Sequence, residues 1–245
     1  MARYKLTIEY DGAGFVGWQR QANGVSIQES LEGAIERFCG ARVQCAAAGR
    51  TDAGVHALGQ VVHIDLERPR ELETIRDAIN FHLKPNPIAV LSAEPVAEDF
   101  HARFSARGRV YRYRVVNRRA PLALERGRAW LVQVPLDVAA MEAGAAHLIG
   151  RHDFSSFRAA ECQAPSPVKT LDSISFARAG DEIAVEFRAR SFLHHQVRNI
   201  MGTLKLVGEG KWSAEDVKRA LEARDRRVAG PTAPPDGLYL VEVLY

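Results

Sequence analysis

Cysteine is nearly absent from this chain: Cys39, Cys45 and Cys162 are the only three in 245 residues, and none forms a Cys-x-x-Cys pair. That argues against a disulfide framework or a zinc site, and the thiols read as reduced core residues of a cytoplasmic protein. Long apolar runs are missing too, since no stretch approaches the roughly 18 residues that span a bilayer. The first residues, Met1-Ala2-Arg3-Tyr4-Lys5, pass straight into a strand pattern, so no signal peptide and no membrane partner are expected. Lysine is scarce, 6 residues against 27 arginines, within a net charge of only +3. So mild a balance makes arginine in bulk a weak pointer to nucleic acid; where it clusters is more telling.

What is there is a soluble, globular composition, 47% hydrophobic and 26% charged, long enough for one large domain or two small ones. Tyr4, Leu6, Ile8 and Tyr10 alternate with polar residues, the period of a half-buried strand. Ser26 is placed to cap a helix through Cys39 that Gly40 stops, with Ile27, Leu31, Ala34, Ile35 and Phe38 as its apolar stripe. Val43 to Ala48 and Leu58 to Leu66 read as strands. Leu72, Ile75 and Ile79 mark a helix ended by Pro85 and Pro87, and Ile88 to Val96 a further strand. Strand, helix, strand, strand, helix, strand is the split βαβ, ferredoxin-like order.

The second half repeats the theme loosely. Arg109 to Val116 is a strand, and Asp137 caps a helix lined by Val138, Met141, Ala145 and Leu148. A hairpin turns at Ala179-Gly180-Asp181. Helices carry Val197 to Leu204 and Val217 with Leu221, and Leu238 to Leu244 is the last strand. The expected architecture is therefore α+β: two similar ferredoxin-like (RRM-like) halves, 1–104 and 105–245. Their antiparallel or mixed sheets are expected to meet as one central sheet, with a cleft between the halves.

Three stretches carry possible chemistry. In Gly49-Arg50-Thr51-Asp52-Ala53-Gly54-Val55-His56-Ala57, two glycines bracket a loop that holds an arginine, a threonine and a carboxylate. Asp52 is placed either to react or to cap the next element; the residue types alone favour the cap. From Arg103 to Arg128 there are nine arginines and one acid, Glu125. Along that strand Tyr111 and Tyr113 share one face and Arg112 and Arg114 the other, which suits rings for unstacked bases and guanidinium groups for phosphates. An exposed charged strand explains the same residues equally well. Arg198 lies on a largely apolar helix and so needs an anionic partner. Asp52 is one candidate, because an arginine fork matches a carboxylate bidentately. His194 and His195 are adjacent and point in different directions, so no metal site is expected. Leu238 follows the stiff loop Pro231-Thr232-Ala233-Pro234-Pro235-Asp236-Gly237, where it either packs or meets a ligand.

Taken in order, the blocks Tyr10-Asp11-Gly12, Gly17-Trp18-Gln19, Gly49 to Ala57, Gly59-Gln60-Val61, Phe100 to Ala106, Arg109 to Tyr113, His152 to Phe157, Val197-Arg198 with Gly202, and Ala233 to Leu238 closely resemble the tRNA pseudouridine synthase A (TruA) family. The match runs from about residue 4 to 243. The resemblance implies isomerisation of uridine to pseudouridine at positions 38 to 40 of the tRNA anticodon stem-loop, without cofactor or metal. It implies a homodimer whose basic groove takes tRNA. It puts the catalytic aspartate on Asp52, the base-flipping arginine on Arg50, the active-site tyrosine on Tyr111, the aspartate's partner on Arg198 and the apolar residue against the base on Leu238. Departures are few: Gln196 where a methionine is usual, Lys169-Thr170 where a threonine-arginine pair is common, and Pro85 after a lysine. They touch tRNA contacts and local packing.

The implied reaction breaks C1′–N1, turns the base and makes C1′–C5. The base must first leave its stack, at a cost of a few kcal/mol. Asp52 must be anionic whether it attacks C1′, adds to C6 or removes a sugar proton; the sequence leaves all three routes open. Without the ordered blocks the chain would read as a non-catalytic RNA-binding module. A carboxylate glycosidase would need a second acid near Asp52, and none stands out.

Overall fold

The computed structural model describes all residues from Met1 to Tyr245. The chain divides into two compact units, residues 1–107 with 239–245, and residues 108–238. No helix is long and apolar enough to cross a membrane.

The first unit opens with β1 (Ala2–Tyr10), α1 (Ile27–Cys39), β2 (Ala46–Ala47), β3 (His56–Leu66), α2 (Leu72–Leu83) and β4 (Ile88–Pro95). Ser26 accepts the Glu29 N–H at 3.1 Å and Gly40 closes α1 in the left-handed region, so both ends of the helix lie where their residue types demand. α1 buries Ile27, Leu31, Ala34 and Ile35; α2 buries Ile75, Ile79 and Leu83. Tyr4, Leu6, Ile8 and Tyr10 of β1 are all buried. At roughly 1.5–3 kcal/mol for each large aliphatic side chain, this layer dominates the unit's stability.

The lateral order β4-β1-β3 is antiparallel throughout, and β2 pairs antiparallel with β3. β2 is shorter than the strand expected over 43–48. The Cys45 N–H goes to the Glu32 carboxylate at 3.1 Å rather than into the ladder, which leaves two paired residues. β3 is covered on both sides. His63 is buried, its Nδ1 accepts the Ala102 N–H at 3.2 Å, and the Phe100 and His101 rings lie against it.

The second unit contains β5 (Gly108–Asn117), β6 (Trp130–Val132), α3 (Val138–Ala146), β7 (Gly150–Asp153), a single turn at Ser155–Phe157, β8 (Val168–Ala179), β9 (Glu182–Ala189), α4 (Gln196–Gly208), α5 (Ala214–Ala223) and a single turn at Arg226–Val228. Its lateral order is β5-β9-β8-β7, antiparallel across both β9 pairings and β7–β8, with β6 parallel to β5. Asp137 caps α3, and Ser213 with Asp216 forms a capping box on α5. β6 and β7 have no forecast counterpart: three residues and four polar-rich residues show no periodicity to read.

The last strand, β10 (Leu238–Leu244), pairs in parallel with β3 through Tyr239↔His56 and Leu240↔Ala57. Position in the chain grouped it with the second half, whereas from Tyr239 onward its contacts group it with the first unit. Both units are α+β, as the order of elements implies.

Candidate active site

Asp52 sits on the connection from β2 to β3, and that connection is tied down at several backbone points. Ala48 N donates to Val61 O at 2.8 Å, Trp18 N to Thr51 O at 3.0 Å, and Val55 N to Asp52 O at 3.1 Å, closing a turn over residues 52–55. The Gln60 side chain donates to Gly49 O at 2.8 Å. Thr51 Oγ1 and the Tyr10 hydroxyl share a hydrogen bond at 2.8 Å; burial pushes the Tyr10 pKa up to about 12, so the phenol stays neutral. Gly17 makes this approach possible: its φ is +103°, and a Cβ there would lie 2.8 Å from Thr51 O and 3.0 Å from Ala53 N. Behind the loop, His56 Nδ1 lies 3.0 Å from Gly12 N and 3.1 Å from an Asp11 carboxylate oxygen, and its ring stacks on Tyr239 at 4.6 Å. The Asp52 carboxylate is half-buried and Arg50, two residues earlier, is exposed. The backbone that carries the carboxylate is thus held in place before any ligand arrives.

The other site residues named from the sequence lie in the second unit. Tyr111 on β5 is half-buried, edge-on to Phe192 at 5.1 Å between centroids. Tyr113, two residues along the same face, is fully buried: its ring lies 5.8 Å from Trp130 and its hydroxyl donates to Pro234 O. Tyr113 therefore packs in the core and cannot stack on a base, which corrects its place among the substrate contacts. Arg112 donates twice to its cross-strand neighbour Glu186, at 3.0 and 2.6 Å. Arg114 grips Glu182 at 2.9 and 3.1 Å and Glu125 at 2.9 Å, and it holds the Glu182 carboxyl below the usual range. Both guanidinium groups have carboxylate partners that the sequence alone does not reveal, so neither presents a bare charge to a phosphate.

Arg198 lies in the first turn of α4 and is tied to the 231–237 loop in both directions. Its Nε donates to Ala233 O at 2.9 Å and its carbonyl accepts from Ala233 N at 3.1 Å. Gly202 lets the loop come this close, since a Cβ there would meet Pro231 O at 1.7 Å. The loop delivers Leu238, buried, to the start of β10. His194 and His195 precede α4 rather than riding on it, and His195 is its N-cap in the left-handed region at φ 61°. Sequence reasoning missed Asn199, a fully buried amide one residue beyond Arg198. It donates to Phe157 O at 2.9 Å and accepts from Arg226 at 3.0 Å, and its only signal was a polar residue on an apolar helix face.

Known proteins agree closely with this chain. The tRNA pseudouridine synthase family profile matches residues 6–105 and 145–245. The tRNA pseudouridine synthase A of Paramagnetospirillum magneticum is 62% identical over 245 residues, covering 100% of this chain and 96% of its own length. That of Rhodospirillum centenum is 62% identical and that of Parvibaculum lavamentivorans 59%, each across 100% of both chains. With its order of strands and helices and its glycine-bracketed aspartate loop, the chain belongs to the tRNA pseudouridine synthase family.

Proposed function

We propose that this chain converts uridine to pseudouridine at positions 38 to 40 of the tRNA anticodon stem-loop, as a cytoplasmic homodimer, with Asp52 as the reacting group. The observation that carries the reading is the Asp52 loop: a half-buried carboxylate whose flanking backbone is bonded to β3 and to the β1–α1 connection, in a chain about 60% identical to synthases of this name over its full length.

The reaction is an isomerisation. C1′–N1 breaks, C1′–C5 forms, C5 gives up its hydrogen and N1 gains a proton, so the atoms balance with no co-substrate. Asp52 must start as the anion on each of the three routes. Burial alone would favour its neutral form, and a guanidinium partner opposes that; Arg198 is the cation assigned to it. Tyr111, with its ring edge already against Phe192, is assigned to stack on the flipped base and offer its hydroxyl to the departing C5 proton. Arg50 is assigned to hold the flipped nucleotide and Leu238 to lie against the base. Arg112 and Arg114 remain candidate phosphate contacts that would exchange or share Glu186, Glu182 and Glu125.

The test is hydrogen release from C5. Unmodified tRNA transcribed with tritium at uridine C5 is incubated with the protein, and tritium in water is counted. Release with matching pseudouridine supports the reading. Binding of the transcript without release would make the chain a non-catalytic RNA-binding module. Tyr111→Phe keeps the ring, so a rate equal to the parent's would remove the proton role and leave the stacking one.

A further inference from the structure

The second unit contains a basic pocket to which the chemistry above assigns nothing. Ser155, Arg158, Ala159 and Ala160 face residues Arg224 to Arg227 across a cavity of about 400 Å³. Arg226 is built into its wall, with Nη1 donating to Gly230 O at 2.8 Å and Nη2 to Asn199 Oδ1 at 3.0 Å and Thr232 Oγ1 at 3.1 Å. Every one of these partners is a neutral oxygen. Buried Asn199 holds the two walls together, since it also donates to Phe157 O at 2.9 Å and accepts from Thr232 at 2.6 Å.

The remaining charges leave a surplus. Arg158 is half-buried and makes no hydrogen bond or ion pair. Arg224 stands in the left-handed region at φ 51°, where glycine would be unstrained, and comes no closer than 3.7 Å to Asp153. Arg227 alone is matched fully, by Asp225 at 2.6 and 3.0 Å. Four guanidinium groups thus meet two carboxylates, and the best-anchored one, Arg226, has no counter-ion. An under-neutralised arginine cluster around an open pocket, with Arg226 anchored and Arg158 and Arg224 able to swing toward it, can meet phosphate oxygens through paired N–H donors.

We propose that this pocket grips a phosphodiester of the tRNA backbone, adding a sequence-independent hold remote in the chain from Asp52. The proposal rests on the reading of the chain as a tRNA enzyme. Affinity for an unmodified tRNA transcript, measured across a salt series for the parent, R158E/R227E and D225N, tests it, with thermal melts run alongside. Loss of phosphate contacts should weaken binding by about tenfold or more at moderate salt and make the log–log salt slope shallower by about one to two. D225N releases Arg227 while keeping an oxygen to cap the Arg226–Val228 turn, so it should tighten binding by about 2–5-fold. Opposite signs from the two variants support a phosphate contact. A well-folded R158E/R227E protein with parental affinity and slope overturns the proposal. Should that variant fail to fold, D225N decides alone, and parental affinity there is the overturning result. If the parent releases C5 tritium and the variants do not differ, only the pocket is lost. If the parent releases none, the underlying reading fails instead.

Discussion

The two units share a core plan, and the connection between the last two strands of that core differs. In the first, β1, α1, β2, β3 and α2 give the lateral order β1-β3-β2; in the second, β5, α3, β8, β9 and α4 give β5-β9-β8. In the second unit β8 and β9 pair down to Ala179↔Glu182, and the chain reverses at Gly180-Asp181 with Gly180 at φ 59°. In the first, the equivalent strand is only two residues long, and residues 48–55 direct much of their backbone bonding outside the ladder, to Trp18 and within their own turn. A two-residue turn projects its side chains into solvent. A longer connection fastened to a neighbouring segment can hold a carboxylate half-buried, at the cost of strand pairing. The unit that gave up pairing is the one that carries Asp52.

That comparison can be broken most severely at Gly17. Gly17→Ala puts a methyl group 2.8 Å from Thr51 O on a residue at φ +103°. The expected result is about 2–4 kcal/mol less stability by denaturant unfolding and turnover down by about 10²-fold or more. Turnover close to the parent's would mean the Asp52 loop tolerates displacement. Tyr10→Phe is gentler: it orphans Thr51 Oγ1 in a buried position and should cost about 1–3 kcal/mol, with a several-fold fall in turnover.

Near neutral pH, a further effect should arise from His63 in the first unit. Burial, then the Arg3 charge, lowers the His63 pKa below its ordinary 6.5. Above 6.5 both folded and unfolded His63 are neutral, whereas below it the unfolded chain takes up the proton first. Its contribution to stability is therefore present above pH 6.5 and is lost as pH falls through the depressed folded value. His63→Gln should flatten the melting temperature in that window; an unchanged profile would place the acid sensitivity elsewhere. At the equivalent joint of the second unit, Asp181→Ala should change stability by no more than about 0.5 kcal/mol and leave turnover unaltered, because its carbonyl, not its exposed side chain, accepts from Asn117 N at 2.7 Å. A large loss of turnover there would erase the contrast between the two connections.

Local chemistry explains which parts of this structure were legible in the sequence. Ser26 and Gly40 bound α1, Asp137 starts α3, and the β8–β9 hairpin turns at Gly180, because caps and turns are decided by a few adjacent residues. The glycines around Asp52 likewise marked a constrained loop. Period 2 assigned the faces of β5 but not their depth: Tyr111 and Tyr113 share a side, yet Trp130 and Pro234 cover only the second. The Glu186 and Glu182 partners of Arg112 and Arg114 depend on the register of β9, about seventy residues away, which no local pattern encodes. The network of Asn199, Arg226 and Thr232 was hidden for the same reason, since each residue is ordinary until folding joins them.

The account depends most on Asp52, and Asp52→Asn tests it with almost no change in shape. Tritium release and tRNA affinity are measured on the same preparation. The prediction is a loss of turnover of at least about 10³-fold with affinity within about threefold of the parent. Turnover within about tenfold of the parent's, on a transcript bound normally, would contradict the assignment of the chemistry to this carboxylate.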